Sequence, residues 1–436
     1  MPSNKSLIVP VAALLIIYGI LFAPTPASAA DQEKVLYSFK GGKDGVSPSV
    51  TLIFDAAGNL YGATGEGGDY QCDRFFGCGT VFRLEQIAQG KWKKTTIHTF
   101  KGPEGAYPGG LILDAAGNLY GTTAAGGSKS YSGTVFELSP SGHGVWTETV
   151  LHAFHNKDGV SPAGSLIFDA AGNLYGTTQL GGAYNSGVVF KLAPDANGGW
   201  TETVLHSFNG KDGNLPDSAL IFDALGNLYG TTAGGLYGAV SHGNWNCSSA
   251  ACGNVFKLAP GTDGKWTETV LHSFNGKDGV EPAASLVLDR AGNLYGTTVF
   301  GGDLKLTECG GYGCGTVFKV APGTNGKWTE TVLHKFNGFV DGSYPYAEMI
   351  FDATGNLYGT TWYSGGMVFK LAPSADGKWK ETIIRRFNGD DGANPVAGLV
   401  FDKSGNLYGT TQFGGKHDIC QDQFGNGCGV VFEITP

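Results

Sequence analysis

Asp223-Ala224-Leu225-Gly226-Asn227-Leu228-Tyr229-Gly230-Thr231-Thr232 is the stretch whose reading decides the fold. Its pentapeptide Gly-Asn-Leu-Tyr-Gly begins at Gly58, Gly117, Gly172, Gly226, Gly292, Gly355 and Gly405, at intervals of 50 to 66 residues. Self-similarity at such a period marks a propeller or an array. Around the pentapeptide, residues 218–223 form an apolar run. Asp223 then opens a turn in which Gly226 takes the left-handed position, the chemistry of a type I turn with a bulge and therefore of a hairpin. Residues 228–232 make the second strand. A variable loop follows, then a third strand at 253–258, a turn at 259–264 and a fourth strand at 266–274. The runs are rich in β-branched and aromatic residues and are punctuated by Gly, Pro and Asp. Four antiparallel strands per repeat is a propeller blade.

The ends of the chain bear on closure. The seventh copy stops at its third strand, residues 430–434, and lacks a fourth. Lys34-Val35-Leu36-Tyr37-Ser38-Phe39 matches Thr203-Val204-Leu205-His206-Ser207-Phe208, the fourth strand of the third copy. The N-terminal strand is therefore expected to complete blade seven, giving an all-β, seven-bladed β-propeller with no exposed sheet edge. An open β-solenoid is the alternative, and it gives no reason for a circularly permuted repeat.

The chain has 436 residues, 72 of them Gly, with 12% aromatic and 15% charged residues. High Gly without a three-residue period, beside regular Tyr, Phe and Trp, suggests a turn-dense β protein. Net charge is −9 and no basic run occurs, so the footprint of a nucleic-acid binder is missing. Residues 1–29 read as a signal peptide: Lys5, an apolar stretch over 7–23, and the small-residue site Ala27-Ser28-Ala29. Cleavage there leaves residues 30–436 as the propeller. An uncleaved anchor is the other reading, since about 17 apolar residues is the short limit of a membrane span. With cleavage, the mature protein is expected outside the cytoplasm, in the periplasm or beyond, without a membrane span and as a monomer.

Eight cysteines fall in four close pairs, Cys72/Cys78, Cys247/Cys252, Cys309/Cys314 and Cys420/Cys428. In an exported chain this pattern favours disulfides. Structural zinc sites usually use spacers of two to four residues and two knuckles per ion. Here the spacers are four, four, five and seven residues, in separate repeats, so no metal is expected at these cysteines.

A second motif, acidic-Gly-x-x-Pro, recurs from Asp44, Glu104, Asp158, Asp212, Asp278, Asp341 and Asp391. Its carboxylates are expected to ring one channel mouth, drawing a cation or polyhydroxylated ligand, or else to shape seven equal turns. His98, His152, His206, His272 and His334 hold equivalent places in the outer strands, with Tyr37 and Arg385 at the other two. Neighbouring outer strands lie too far apart for these imidazoles to share an ion, so they read as structural. Trp92, Trp146, Trp200, Trp266, Trp328 and Trp379 open outer strands and read as packing residues. Four of them follow Gly-Lys, as in quinoprotein propellers, but the rest of that motif is absent and no cofactor is expected.

Positions that break the symmetry are where a ligand could be selected. Trp245 lies in the longest loop, and Trp362-Tyr363 in the shortest, on blade six. The preceding connection there is irregular too, with Asp341, Tyr344 and Tyr346. Clustered aromatics beside carboxylates suit a sugar-binding notch, or else simply cover loop backbone. No Gly-x-Ser-x-Gly elbow, His-Glu-x-x-His, P-loop or dinucleotide fingerprint is present.

The recurring Gly-Asn-Leu-Tyr-Gly-Thr-Thr, followed by Gly-x-Val-Phe as at Gly315-Thr316-Val317-Phe318, resembles the GloVer-type tandem-repeat secreted bacterial proteins. The resemblance covers nearly all of the mature chain and implies a secreted or surface-associated protein of uncharacterised role. The expected function is a non-catalytic binding or interaction scaffold for a glycan or surface protein on the loop-bearing face. A propeller glycoside hydrolase or polysaccharide lyase and a structural envelope protein are the alternatives.

Overall fold

One aspartate builds each hairpin turn. Asp223 Oδ1 accepts the backbone N–H groups of Leu225 and Asn227 at 2.9 Å each. Its Oδ2 accepts Asn227 Nδ2 at 2.6 Å and the Tyr229 hydroxyl at 3.0 Å. Burial opposes ionisation of Asp223, but these donated bonds outweigh it and hold the carboxyl below the usual range. The same network recurs at Asp55, Asp114, Asp169, Asp289, Asp352 and Asp402. The two glycines of the pentapeptide serve different ends. Gly226 sits at φ +80° with open space around its Cα, so its backbone is what excludes other residues. Gly230 is excluded by crowding: a Cβ would lie 2.7 Å from Phe256 Cζ and 3.0 Å from Leu220 Cδ2. Phe256, the Phe of Gly-x-Val-Phe, is fully buried, with its ring centroid 5.1 Å from Phe208.

The computed structural model describes residues 32–72, 76–127, 131–234, 240–241, 244–245, 247, 251–417, 420 and 427–436. The leader at 1–29 and the Trp245 side chain lie outside them. Seven antiparallel sheets follow one another. Blade four is representative, with Ile221–Phe222 innermost, then Leu228–Thr232, Asn254–Pro260 and Trp266–Ser273. Its variable loop adds a short ladder between Val240–Ser241 and Asn244–Trp245, which the repeat pattern does not reveal. In blade seven, Gln32–Ser38 pairs antiparallel with Val430–Thr435, outside Leu407–Thr411 and Val400–Phe401. Its register shifts between Val35 and Tyr37, as the other outer strands shift before their histidines. The N-terminal strand thus closes the ring, with Phe39 fully buried.

Contacts between blades repeat as faithfully as contacts within them. Each outer-strand Trp packs against the pentapeptide Tyr of the preceding blade: Trp146 on Tyr61, Trp266 on Tyr175, and across the closure Trp92 on Tyr408, all edge-on, with Trp328 tilted on Tyr229. Each Pro of the acidic-Gly-x-x-Pro motif fills the space above a glycine of the preceding blade, as Pro282 does over Gly253 and Pro48 over Gly429. The residue before each Pro is left-handed, with Ser47, Tyr107, Ser161, Leu215, Glu281, Tyr344 and Asn394 all at φ between 55° and 59°. Its N–H donates to a carbonyl of the preceding blade, which belongs to a cystine residue at Cys428, Cys78, Cys252 and Cys314. The four disulfides therefore staple the loops that receive these latches. Among the described residues, no helix is long and apolar enough to cross a membrane.

Candidate functional site

The inner strands enclose a central cavity of about 530 Å³. The residue after six of the seven Pro faces it: Ser49, Gly109, Asp217, Ala283, Tyr346 and Val396 line the wall, and blade three contributes Gly164 and Ser165. Small side chains prevail, and blades four and six depart from them. Blade six contributes Tyr346, Glu348 and Trp362; blade four contributes Asp217; Gln412 comes from blade seven. Among the described residues, no lysine, arginine or histidine lines the cavity. The rings of Tyr346 and Trp362 meet edge to face at 6.2 Å. Trp362 Nε1 donates to Gln412 Oε1 at 3.3 Å, and Asn394 Nδ2 donates to the Trp362 carbonyl at 2.8 Å.

The carboxyls here are unusual. Glu348 crosses toward Thr51 and Ser285; burial pushes its ionisation up, against the bonds those two hydroxyls donate. Its Cγ lies 2.5 Å from where a Cβ on Gly398 would stand, so that glycine makes room for it. Asp217 accepts Gln179 Nε2 at 2.7 Å and is likewise raised by burial. Glu281 is only 8% exposed, its Oε2 has no hydrogen-bond partner, and burial followed by the charge of Asp217 pushes it up to about 7. Burial, then the charge of Glu281, raises Tyr346. Two carboxyls of raised proton affinity, Asp217 and Glu348, an aromatic pair and the Gln412 amide thus line one cavity, with the Glu281 carboxyl behind Asp217. Such groups donate and accept hydrogen bonds to hydroxyls.

The residues singled out on sequence grounds divide into separate groups. Tyr346 and Trp362 share the cavity. Tyr344 and Tyr363 lie on the rim, their rings 5.5 Å apart, with Phe300 5.1 Å from Tyr344 and the exposed Phe339 6.1 Å from Tyr363. Asp341 belongs to neither: it accepts the Asn337 N–H at 2.5 Å and lies 3.3 Å from His334 Nε2 on the outer strand. All seven acidic-Gly carboxylates are absent from the cavity wall; they shape turns, as Asp212 does by accepting the Asn209 N–H at 2.9 Å. Their expected ring around the mouth is therefore corrected. Asp217, Glu281, Glu348 and Gln412 escaped the sequence reading. Their signal was available as a break in residue type at a fixed offset from the repeated Pro and Thr-Thr.

A second constellation lies between blades. The outer-strand imidazole faces the following acidic-Gly carboxylate, with His152, His206, His272 and His334 each 3.2–3.3 Å from Asp158, Asp212, Asp278 and Asp341. The next blade adds a glutamate, and Oε1 of Glu148, Glu202, Glu268, Glu330 and Glu381 is buried without a hydrogen-bond partner. Burial pushes each of these glutamates up to about 7. Two junctions differ. Lys94 replaces the glutamate between Tyr37 and Asp44, 2.9 Å from Asp44 Oδ1, and Arg385 replaces the histidine beside Asp391, 3.2 Å from Glu33.

A family model described as the Gloeobacter/Verrucomicrobia repeat matches residues 15–240 and again 232–436. The chain belongs to this family. No curated protein matches it. Among solved structures, this family member is similar to one described as the extracellular domain of a hybrid two-component system of B. thetaiotaomicron, at 11% identity and a TM-score of 0.52. The alignment covers 87% of this chain and 39% of that one. At this identity the likeness bears on the fold alone, and the fold agrees.

Proposed function

We propose that this family member is an exported, non-catalytic binding module that takes a polyhydroxylated ligand, such as the end of a glycan, into the loop-bearing mouth of its central channel. One observation carries the reading: aromatic and carboxyl groups concentrate on blades four and six of a wall that is otherwise small and neutral. A cavity of about 530 Å³ lies within the range of small-molecule sites. The Tyr346–Trp362 pair offers ring surface, while Asp217, Glu348 and Gln412 offer hydrogen bonds. Four disulfides support an oxidising compartment. The exposed Phe339 and Val340 beside Tyr363 would extend the footprint outward along blade six.

A glycan array probed with the wild type, Trp362→Ala and Asp217→Asn tests this. Binding should be selective and should fall at least ten-fold in both variants. Equal binding by all three forms, or no binding by the wild type, would leave a structural envelope role as the better reading.

A further inference from the structure

The junctions between blades carry chemistry independent of the channel. At blades five and six, His334 Nε2, Asp341 and Glu381 each offer a ligand atom within 4.8 Å of the others; His272, Asp278 and Glu330 do the same one blade earlier. Ligands at about 2.0–2.2 Å from one ion stand at such separations. Glu381 Oε1 and Glu330 Oε1 are buried without a hydrogen-bond partner, and His334 Nε2 faces only Asp341 Oδ2, 3.3 Å away. Buried polar atoms left unpaired are costly and require an explanation.

The ring supplies its own comparison. At the two junctions where the histidine or glutamate is replaced, a side-chain cation occupies the place. The Lys94 ammonium, 2% exposed, bonds Asp44 Oδ1 at 2.9 Å and the Asp44 carbonyl at 2.5 Å. The Arg385 guanidinium bridges Asp391 and Glu33. At the His272 and His334 junctions the charges of Lys335 and Arg386 reach Glu330 and Glu381, but among the described residues neither cation forms an ion pair with those triads. Lys335 gives its ammonium to the Lys277 carbonyl, and Arg386 spends its guanidinium on the Phe339 and Val340 carbonyls. The carboxylates are already oriented: Asn275 Nδ2 donates to Asp278 Oδ2 at 2.6 Å, and the Asn337 N–H donates to Asp341 Oδ1. Outer-shell bonds of this kind hold metal ligands in place.

We propose that His334–Asp341–Glu381 and His272–Asp278–Glu330 each bind a divalent transition-metal ion, Zn²⁺ or Mn²⁺, which clamps adjacent blades where Lys94 and Arg385 clamp two others. One imidazole with two carboxylates selects such ions over Ca²⁺ and Mg²⁺, which prefer all-oxygen shells. Each ion would join an outer strand, its own turn and the neighbouring outer strand beneath the aromatic rim.

The test uses the untagged mature chain, freed of metal with EDTA and titrated calorimetrically with ZnCl₂, MnCl₂ and CaCl₂. The expected result is two Zn²⁺ or Mn²⁺ per chain and none for Ca²⁺. Glu381→Gln and Glu330→Gln should each remove one site, and the double variant both. Both substitutions replace a buried carboxylate by a neutral isostere, so thermal melts in chelator should show variants no less stable than the wild type. Absence of stoichiometric Zn²⁺ and Mn²⁺ binding by the wild type, or unchanged stoichiometry in the two variants, overturns the proposal.

Discussion

Substituting the two glycines of one pentapeptide separates the backbone reason for the motif from the packing reason. In Gly226→Ala the new methyl meets nothing within 4 Å, so the cost is that of holding an L-residue at φ +80°, roughly 1 kcal/mol. In Gly230→Ala the methyl would stand 2.7 Å from Phe256 Cζ and 3.0 Å from Phe256 Cε1 and Leu220 Cδ2. Ordinary contact begins about 1 Å further out, and overpacking of a close-packed interior costs about 1–3 kcal/mol. Phe256→Leu removes Cζ and Cε1, so Gly230→Ala should cost less in that background than in the wild type, with a coupling of about 1 kcal/mol or more. Equilibrium urea unfolding of the single and double variants, with Gly226→Asn as a left-handed-tolerant control near wild type, measures these terms. A Gly226→Ala loss exceeding that of Gly230→Ala, or strict additivity with Phe256→Leu, would refute the reasoning.

Other consequences concern the blade junctions and loops. Glu148, Glu202 and Glu268 rise from 4.5 to about 7 on folding; the native state then holds protons more tightly, so stability falls as pH climbs from about 4.5 to 7 and levels off above. That rise caps each contribution at about 3 kcal/mol, and solvent contact reduces it to roughly 1 kcal/mol; melts in EDTA should show the slope, and Glu202→Gln should flatten it. Lys94→Glu, which restores the repeat residue, sets a second carboxylate beside Asp44 and should destabilise the closure by about 3 kcal/mol, with Tyr37→His added to rebuild the triad recovering part of the loss. Replacing Cys309 and Cys314 by Ser removes a short covalent loop and should lower stability by about 2 kcal/mol in denaturant titrations.

Much of the scaffold was legible because its determinants are local. Asp223, Gly226, Asn227 and Tyr229 bond one another within seven residues, so the turn can be read from the chain alone. The register of residues 34–39 followed from a copy of the same string elsewhere. The candidate site was legible only in part. Trp362 stood out in the shortest loop and Tyr346 in the irregular connection before it, and they do share the cavity. Asp341 stood out for the same reason, yet its carboxylate turns to His334 because the acidic-Gly turn binds the end of the outer strand.

Chain order, then, dictates the blades, their number and their turn chemistry, because each rests on hydrogen bonds and side-chain alternation between near neighbours. Tertiary closure alone decides what the seven inner strands gather around the axis and what adjacent outer strands trap between them. Glu348 reaches Thr51 nearly 300 residues away, and Glu330 meets His272 only across a blade boundary. Such encounters depend on the curvature and register of the whole ring, and no periodicity within one repeat encodes them.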